Sequence, residues 1–330
     1  MSDETRPWWR PRKRRAVAIV TLGALIVGLV LWGQRDTSPV GHFVSSEAKD
    51  EFVSTYDAAM ARLPSPDETH DIRTSHGIVR VYRFAADNDS APPLVLLPGR
   101  SSSTPLWSDN LPSLLKHRSV YTIDMLGEPG MSVQDKPITG DEDSAQWLHE
   151  LLAQLPEDQV HLVGLSFGGW SAVNLLRHHP EKIASATLVE PVFVFGNLSL
   201  NAIIRSIPAS VRWLPKSSRD AFASWTAGGA DIKDTPEARL IESGMQGYAL
   251  KLPVPSLIGP EAVSDLNVPL YAVVAGDSPM HDPEEIATAA QDSIGKSNVS
   301  VYKGASHAIN GEHPDQLADD IASFVEQHDP

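Results

Sequence analysis

Val160-His161-Leu162-Val163-Gly164-Leu165-Ser166-Phe167-Gly168-Gly169 joins an apolar run to a Gly-x-Ser-x-Gly corner, and a helical pattern starts at once behind it. Strand, sharp turn and helix in that order form the setting in which a serine is lifted above the edge of a sheet as a nucleophile. The glycines follow from crowding. A serine at a strained strand-to-helix corner presses on residues two positions either side, where a residue without Cβ fits best. The Phe167 N–H, at the start of the helix, is then free to face a developing oxyanion. A chance match to so short a motif is made improbable by the strand, the helix and the partners that follow later in the chain.

The 330 residues suffice for one large domain or two smaller ones, and an apolar fraction of 42% is enough for a substantial core. The net charge of −15 is unevenly spread. Residues 1–15 hold Arg6, Arg10, Arg12, Lys13, Arg14 and Arg15 against Asp3 and Glu4, a balance of +4 that leaves −19 on the rest. So acidic a body repels phosphates and argues against nucleic acid as a partner. Without cysteine there is no disulfide framework, thiol nucleophile or thiolate metal site.

Residues 16–33, AVAIVTLGALIVGLVLWG, form an 18-residue run without a charge, long enough for a helix to span a bilayer core. The basic flank predicts a cytoplasmic tail (1–15), a single-pass signal-anchor (16–33) and an extracytoplasmic body, with Trp8, Trp9 and Trp32 as interfacial anchors. A cleavable signal, giving a secreted form, is the competing reading; Val30-Leu31-Trp32-Gly33-Gln34 lacks a small-residue cleavage site. Arg14-Arg15 gives little support for twin-arginine export.

Residues 34–77 read as a linker and an N-terminal helix (47–62). The alternating 78–82, then Leu94–Leu97, Val120–Ile123, 160–165, Ala186–Val189, Leu270–Val274 and Val299–Tyr302 read as strands. Helical patterns at 143–154, 167–179, 283–294 and 314–328 separate most of them. Such alternation predicts a mostly parallel sheet flanked by helices. Between Pro191 and Leu266 it stops, and helical segments at 201–213, 217–226 and 235–251 are expected to form a cap over the site.

A serine hydroxyl needs an adjacent base. His307, in Gly304-Ala305-Ser306-His307-Ala308, follows the last strand and precedes the last helix, so its loop shares the carboxyl edge of the sheet with Ser166. A lone loop histidine is usually a surface residue; the order Ser166 before His307 favours the general base. Together with Leu97-Pro98-Gly99-Arg100, Asp124-Met125-Leu126-Gly127-Glu128-Pro129-Gly130-Met131-Ser132 and Ala275-Gly276-Asp277, these stretches make 78–330 resemble the α/β-hydrolase fold with a helical cap. The resemblance implies a core of 78–190 and 267–330, a cap of 191–266 inserted before the penultimate strand, and no cofactor. It says little of the substrate.

Many members carry the triad acid three residues after the Gly that ends the penultimate strand; here that position is Pro279. Three residues are candidates to replace it, in order of preference. Glu190 ends the strand before the cap, where some members carry the acid. Asp282 lies three residues beyond the vacancy, but Asp-Pro-Glu-Glu at 282–285 is also a helix N-cap signature. Asp277 follows the strand directly. The resemblance places the oxyanion donors at the backbone N–H groups of Arg100 and Phe167, although Pro98-Gly99 stands where the family usually has His-Gly. Arg100-Ser101-Ser102-Ser103-Thr104 lacks the Lys and spacing of a phosphate loop.

Asp124 is read as a turn residue that satisfies backbone donors, His178-His179 as a helix C-terminus favouring positive charge, and no metal site is expected. Trp213, Trp225, Phe193 and Phe195 either line an acyl pocket or pack the cap. The sequence therefore points to a membrane-anchored serine hydrolase, carboxylesterase- or lipase-like, acting on a small ester or related acyl substrate. A binding domain that kept the fold and lost the acid, or another chemistry of the fold such as amidase, lyase or cofactor-free peroxidase, is the alternative.

Overall fold

In chain order the strands are β1 (His42–Phe43), β2 (Glu68–Thr74), β3 (Gly77–Phe84), β4 (Leu94–Leu97), β5 (Val120–Ile123), β6 (Val133–Gln134), β7 (Val160–Leu165), β8 (Ile183–Val189), β9 (Tyr248–Ala249), β10 (Leu270–Ala275) and β11 (Val299–Tyr302). The computed structural model describes residues 36–87, 91–212, 214–231 and 234–329. All the strands belong to the unit Pro39–Pro330; of the other unit, Met1–Ser38, only residues 36–38 are described, where the Ser38 N–H donates to Asp36 Oδ1. The tail, the anchor segment 16–33 with its tryptophans, and Trp213 lie outside the described residues. Among the described residues no helix is long and apolar enough to cross a membrane.

Among the described residues nine strands form one sheet in the order β11-β10-β8-β7-β4-β5-β3-β2, with β6 also paired to β3. From β11 to β5 every pairing is parallel, whereas β3, β2 and β6 join antiparallel. Alternation along the central strands splits the core in two. Val95, Leu97, Leu162 and Leu188 face one apolar layer with Trp147 and Trp170. Leu94, Leu96, Val163 and Val189 face the other, with Phe52, Trp107 and Phe324. A strand buried on both faces reads as a continuous apolar run, which is why β4, β7 and β10 were legible.

β2 was not. Its sequence, Glu-Thr-His-Asp-Ile-Arg-Thr, is mostly polar and half exposed because it forms the sheet's edge. The sheet therefore reaches into 34–77, which the sequence assigned to a linker and helix. That helix spans Ser46–Met60, is capped by Ser45 Oγ accepting the Ala48 N–H, and buries Phe52, Tyr56 and Ala59 at helical spacing.

Between β8 and β10 lie helices Leu200–Ser210, Lys216–Thr226, Pro236–Gly247 and Pro260–Ser264, and strand β9, which pairs with β1 and so ties the start of the unit to this segment. Of the aromatic residues the sequence singled out here, Phe195 is core and Phe193 packs against it. Trp225 lies 6.0 Å from Phe222, with the Arg205 guanidinium 5.3 Å from its ring.

His161 is fully buried within β7, its Nδ1 2.8 Å from Ser185 Oγ and its Nε2 3.1 Å from Asp329 Oδ1. Burial pushes its pKa from the ordinary 6.5 down to about 4, against the pull of Asp329. The folded state thus favours neutral His161, a contribution fully present above the unfolded pKa and lost as pH falls through the window from 6.5 to 4. By pH 4.5 wild type is expected to lose about 2–3 kcal/mol from this group relative to pH 7, a loss that His161→Gln does not share. Urea unfolding of both proteins at the two pH values checks it; equal losses would refute it.

Candidate active site

Parallel strands bring their carboxyl ends to one edge, and the residues that leave β4, β7, β8, β10 and β11 meet there. Ser166 follows β7 directly with φ 53° and ψ −113°, a conformation L-residues rarely adopt. A Cβ on Gly164 would lie 2.4 Å from Gly168 O, and one on Gly168 would lie 2.0 Å from Leu97 O. Both glycines of the motif are thus demanded by backbone packing. The helix behind them, Phe167–His178, is buried over its first ten residues and lies between β4 and β8.

Ser166 Oγ stands 2.9 Å from His307 Nε2. His307 Nδ1 stands 3.3 Å from Glu190 Oε1, the long link of the set. The loop carrying His307 is fixed twice: Ser306 donates its N–H and hydroxyl to Glu312, and the His307 N–H donates to Thr226 O at the end of helix Lys216–Thr226. That helix therefore touches the imidazole's own backbone.

Glu190 follows β8, is fully buried, and has φ 47°, so two adjacent strands end in strained, non-glycine residues at this edge. Its Oε2 accepts the Ala275 N–H at 2.8 Å. Burial works against the charged carboxylate, but the close imidazoles of His281 and His307 outweigh it and hold the group far below the usual carboxylate range.

Neither other acid reaches the imidazole. Asp282 is exposed and caps helix Pro283–Ile294, accepting the Glu284 and Glu285 N–H groups at 3.0 and 3.2 Å. The N-cap reading of Asp-Pro-Glu-Glu is the one the structure shows for this carboxylate. Asp277 is exposed as well, its N–H paired with Ala305 O.

The Pro98–Ser101 loop runs against the serine, since a Cβ on Gly99 would lie 3.5 Å from Ser166 Cβ. The Arg100 guanidinium sits 4.2 Å from the centre of the Phe167 ring and 3.0 Å from Glu128 Oε1. The other carboxylate oxygen, Glu128 Oε2, accepts the Ser101 N–H at 2.9 Å. Glu128 is buried, and burial pushes its carboxyl up against the pull of Arg100. Sequence reading passed over Glu128 because even its nearest partner in sequence lies 27 residues away across the sheet edge. It also passed over His281, 2.9 Å from Glu190 Oε1, although the vacant acid position two residues earlier marked that loop as altered.

Asp124 has the turn role read for it: it accepts the Thr104 and Met131 N–H groups and the Tyr56 hydroxyl. His178 ends the elbow helix and His179 caps it. Among the described residues one group has metal-ligand spacing, His149, His179 and Glu181, at the far end of that helix from Ser166. The two imidazoles stack at 4.3 Å and 19°, so their in-plane lone pairs run side by side rather than converging on one ion.

Residues 94–320 match the family model described as "Alpha/beta hydrolase family". The chain is 21% identical to carboxylesterase YbfK of Bacillus subtilis (strain 168) over 294 residues, covering 86% of this chain and 96% of that protein. Its fold superposes on naproxen esterase (carboxylesterase NP) from Bacillus subtilis with a TM-score of 0.77 at 22% identity, covering 85% and 99% of the two chains. A solved membrane phospholipase A, described as a bacterial virulence factor, gives a TM-score of 0.64 at 15% identity over 96% of this chain and 98% of that one.

Proposed function

The chain belongs to the alpha/beta hydrolase family, and from that premise we propose that it is a serine carboxylesterase, anchored in a membrane through residues 16–33, that cleaves small esters or related acyl substrates. The observation that carries this reading is the line from Ser166 Oγ through His307 to Glu190, at 2.9 and 3.3 Å. Glu190 beside His307 weighs against a non-catalytic reading, whose motive is the vacant acid position at Pro279.

In this reading His307 Nε2 takes the Ser166 proton as Oγ attacks the ester carbonyl, while Glu190 holds the imidazole by Nδ1–H. The N–H groups of Arg100 and Phe167 receive the oxyanion. The protonated imidazole gives its proton to the departing alkoxide, and the acyl group is left on Ser166. Water, deprotonated by the same nitrogen, then attacks the acyl carbon, and the imidazolium returns that proton to Ser166 Oγ as the acid departs.

The anchor and extracytoplasmic placement rest on the uncharged run and its basic flank. One feature of the segment between β8 and β10 agrees with a lipid-facing cap. Leu200, Ile203, Ile204 and Ile207, at helical i, i+3, i+4, i+7 spacing, are 46–72% exposed on helix Leu200–Ser210.

Fluorophosphonate labelling tests the chemistry. The full chain is expected to label at Ser166 and to hydrolyse p-nitrophenyl esters. Glu190→Gln should lower kcat/KM by about 10³–10⁴, because the imidazole loses its orienting acceptor. Asp282→Asn should leave turnover within about twofold and cost at most about 1 kcal/mol of stability as a weakened cap. A wild-type chain that neither labels nor turns over any short ester would overturn the hydrolase reading.

A further inference from the structure

Glu190 is held by more than the triad requires. Its Oε1 faces two imidazoles, His307 Nδ1 at 3.3 Å and His281 Nε2 at 2.9 Å, and the non-catalytic histidine is the nearer. His281 is 6% exposed. Neither of its ring nitrogens has a fully aligned hydrogen-bond partner among the described residues, so the contact with Glu190 is close but bent. An imidazole buried without polar partners is costly, and among the described residues this ring's close polar contact is the Glu190 carboxylate. That contact also selects the tautomer. A hydrogen on Nε2 is attracted to the carboxylate even across a bent contact, whereas a lone pair there would face its negative charge.

The position of His281 fits the displaced acid. The loop after β10 carries Pro279 where many members of the family carry the acid, and two residues on it turns His281 inward instead. The acid has moved to the end of β8, where it is wholly buried. A buried carboxylate keeps its charge only when it is well supplied with donors. Here the Ala275 N–H takes Oε2, and Oε1 would otherwise depend on the long His307 contact alone.

We propose that His281 is a positioning residue of the reaction: by donating Nε2–H to Glu190 Oε1 it keeps the relocated acid ionised and aimed at His307. This rests on the triad reading above and goes beyond it, since the triad itself assigns no role to a second histidine. The direction of the Glu190 shift agrees, with the neighbouring His281 ring the largest influence opposing burial.

His281→Leu and His281→Gln in the full chain separate positioning from packing. The leucine variant fills the space and removes the donor; kcat for p-nitrophenyl acetate is expected to fall tenfold or more with KM within twofold. The glutamine variant restores an N–H donor and is expected to recover at least a third of wild-type kcat. The downfield proton signal of the His307 Nδ1–H, read by NMR without substrate, should move in His281→Leu and return toward wild type in His281→Gln. Wild-type kcat and an unmoved signal in His281→Leu would overturn the proposal, as would equal losses in both variants. If wild type fails to turn over esters while the signal still responds to His281, the esterase reading falls and the positioning role stands.

Discussion

Ser166→Ala is expected to lower kcat for a p-nitrophenyl ester by roughly a million-fold while leaving KM within a few-fold, and to abolish fluorophosphonate labelling. In the proposed reaction the serine alone of the constellation bonds to substrate, so without Oγ the imidazole 2.9 Å away has no proton to take. His307→Ala should cost about as much, for the complementary reason: a hydroxyl without its base is a poor nucleophile at neutral pH. The double variant should then be no slower than either single one, because the two act as a unit. What remains, about 10³–10⁴ above the uncatalysed rate, reports substrate positioning and the oxyanion donors on the Arg100 and Phe167 backbone. Losses that multiply in the double variant would mean that serine and histidine work separately, and would sink the triad assignment. Substantial residual activity in Ser166→Ala would point to another nucleophile.

The elbow could be read from the sequence because every constraint on it is local: an all-buried strand, two glycines and a helix, contiguous from Val160 to His178. His307 was legible through order alone, since the loop after the last strand of a parallel sheet must share an edge with the others. The candidate acids were different. Asp282 and Glu190 were both reasonable from spacing, and what separates them is tertiary. The sheet order puts β8 between β7 and β10, so a residue ending β8 is set between the serine and the His281 loop. Asp282, by contrast, spends its carboxylate on its own helix. Glu128 and His281 escaped for a related reason: their partners are 27 and 91 residues away in sequence, and no periodicity encodes such a meeting. β2 was missed because an edge strand is not obliged to be apolar.

The same local constraints make Gly168→Ala the substitution with the largest expected effect on stability. Helix propensity alone favours it, by about 1 kcal/mol for a glycine in a helix. Packing opposes it far more strongly. The added Cβ would lie 2.0 Å from Leu97 O, 2.6 Å from Leu97 C and 2.7 Å from Pro98 O, all backbone atoms at the end of a central strand. No side-chain rotation relieves such contacts, so the elbow helix must move off β4, loosening a helix buried along its first ten residues. A net loss of about 3–5 kcal/mol is expected, lowering Tm by roughly 10 °C. The movement also carries Ser166 and the Phe167 N–H away from the Gly99–Arg100 loop, and a shift near 1 Å at reacting groups costs about a hundredfold in rate. Gly311→Ala is the matched control: it too is a glycine within a helix, but nothing lies within 4 Å of its added Cβ. It should be neutral or stabilise by up to about 1 kcal/mol, with unchanged kcat. Thermal unfolding and ester turnover of both variants check this. If Gly168→Ala folds with wild-type Tm and rate, the close packing of the elbow helix on β4 is not what holds the serine in place.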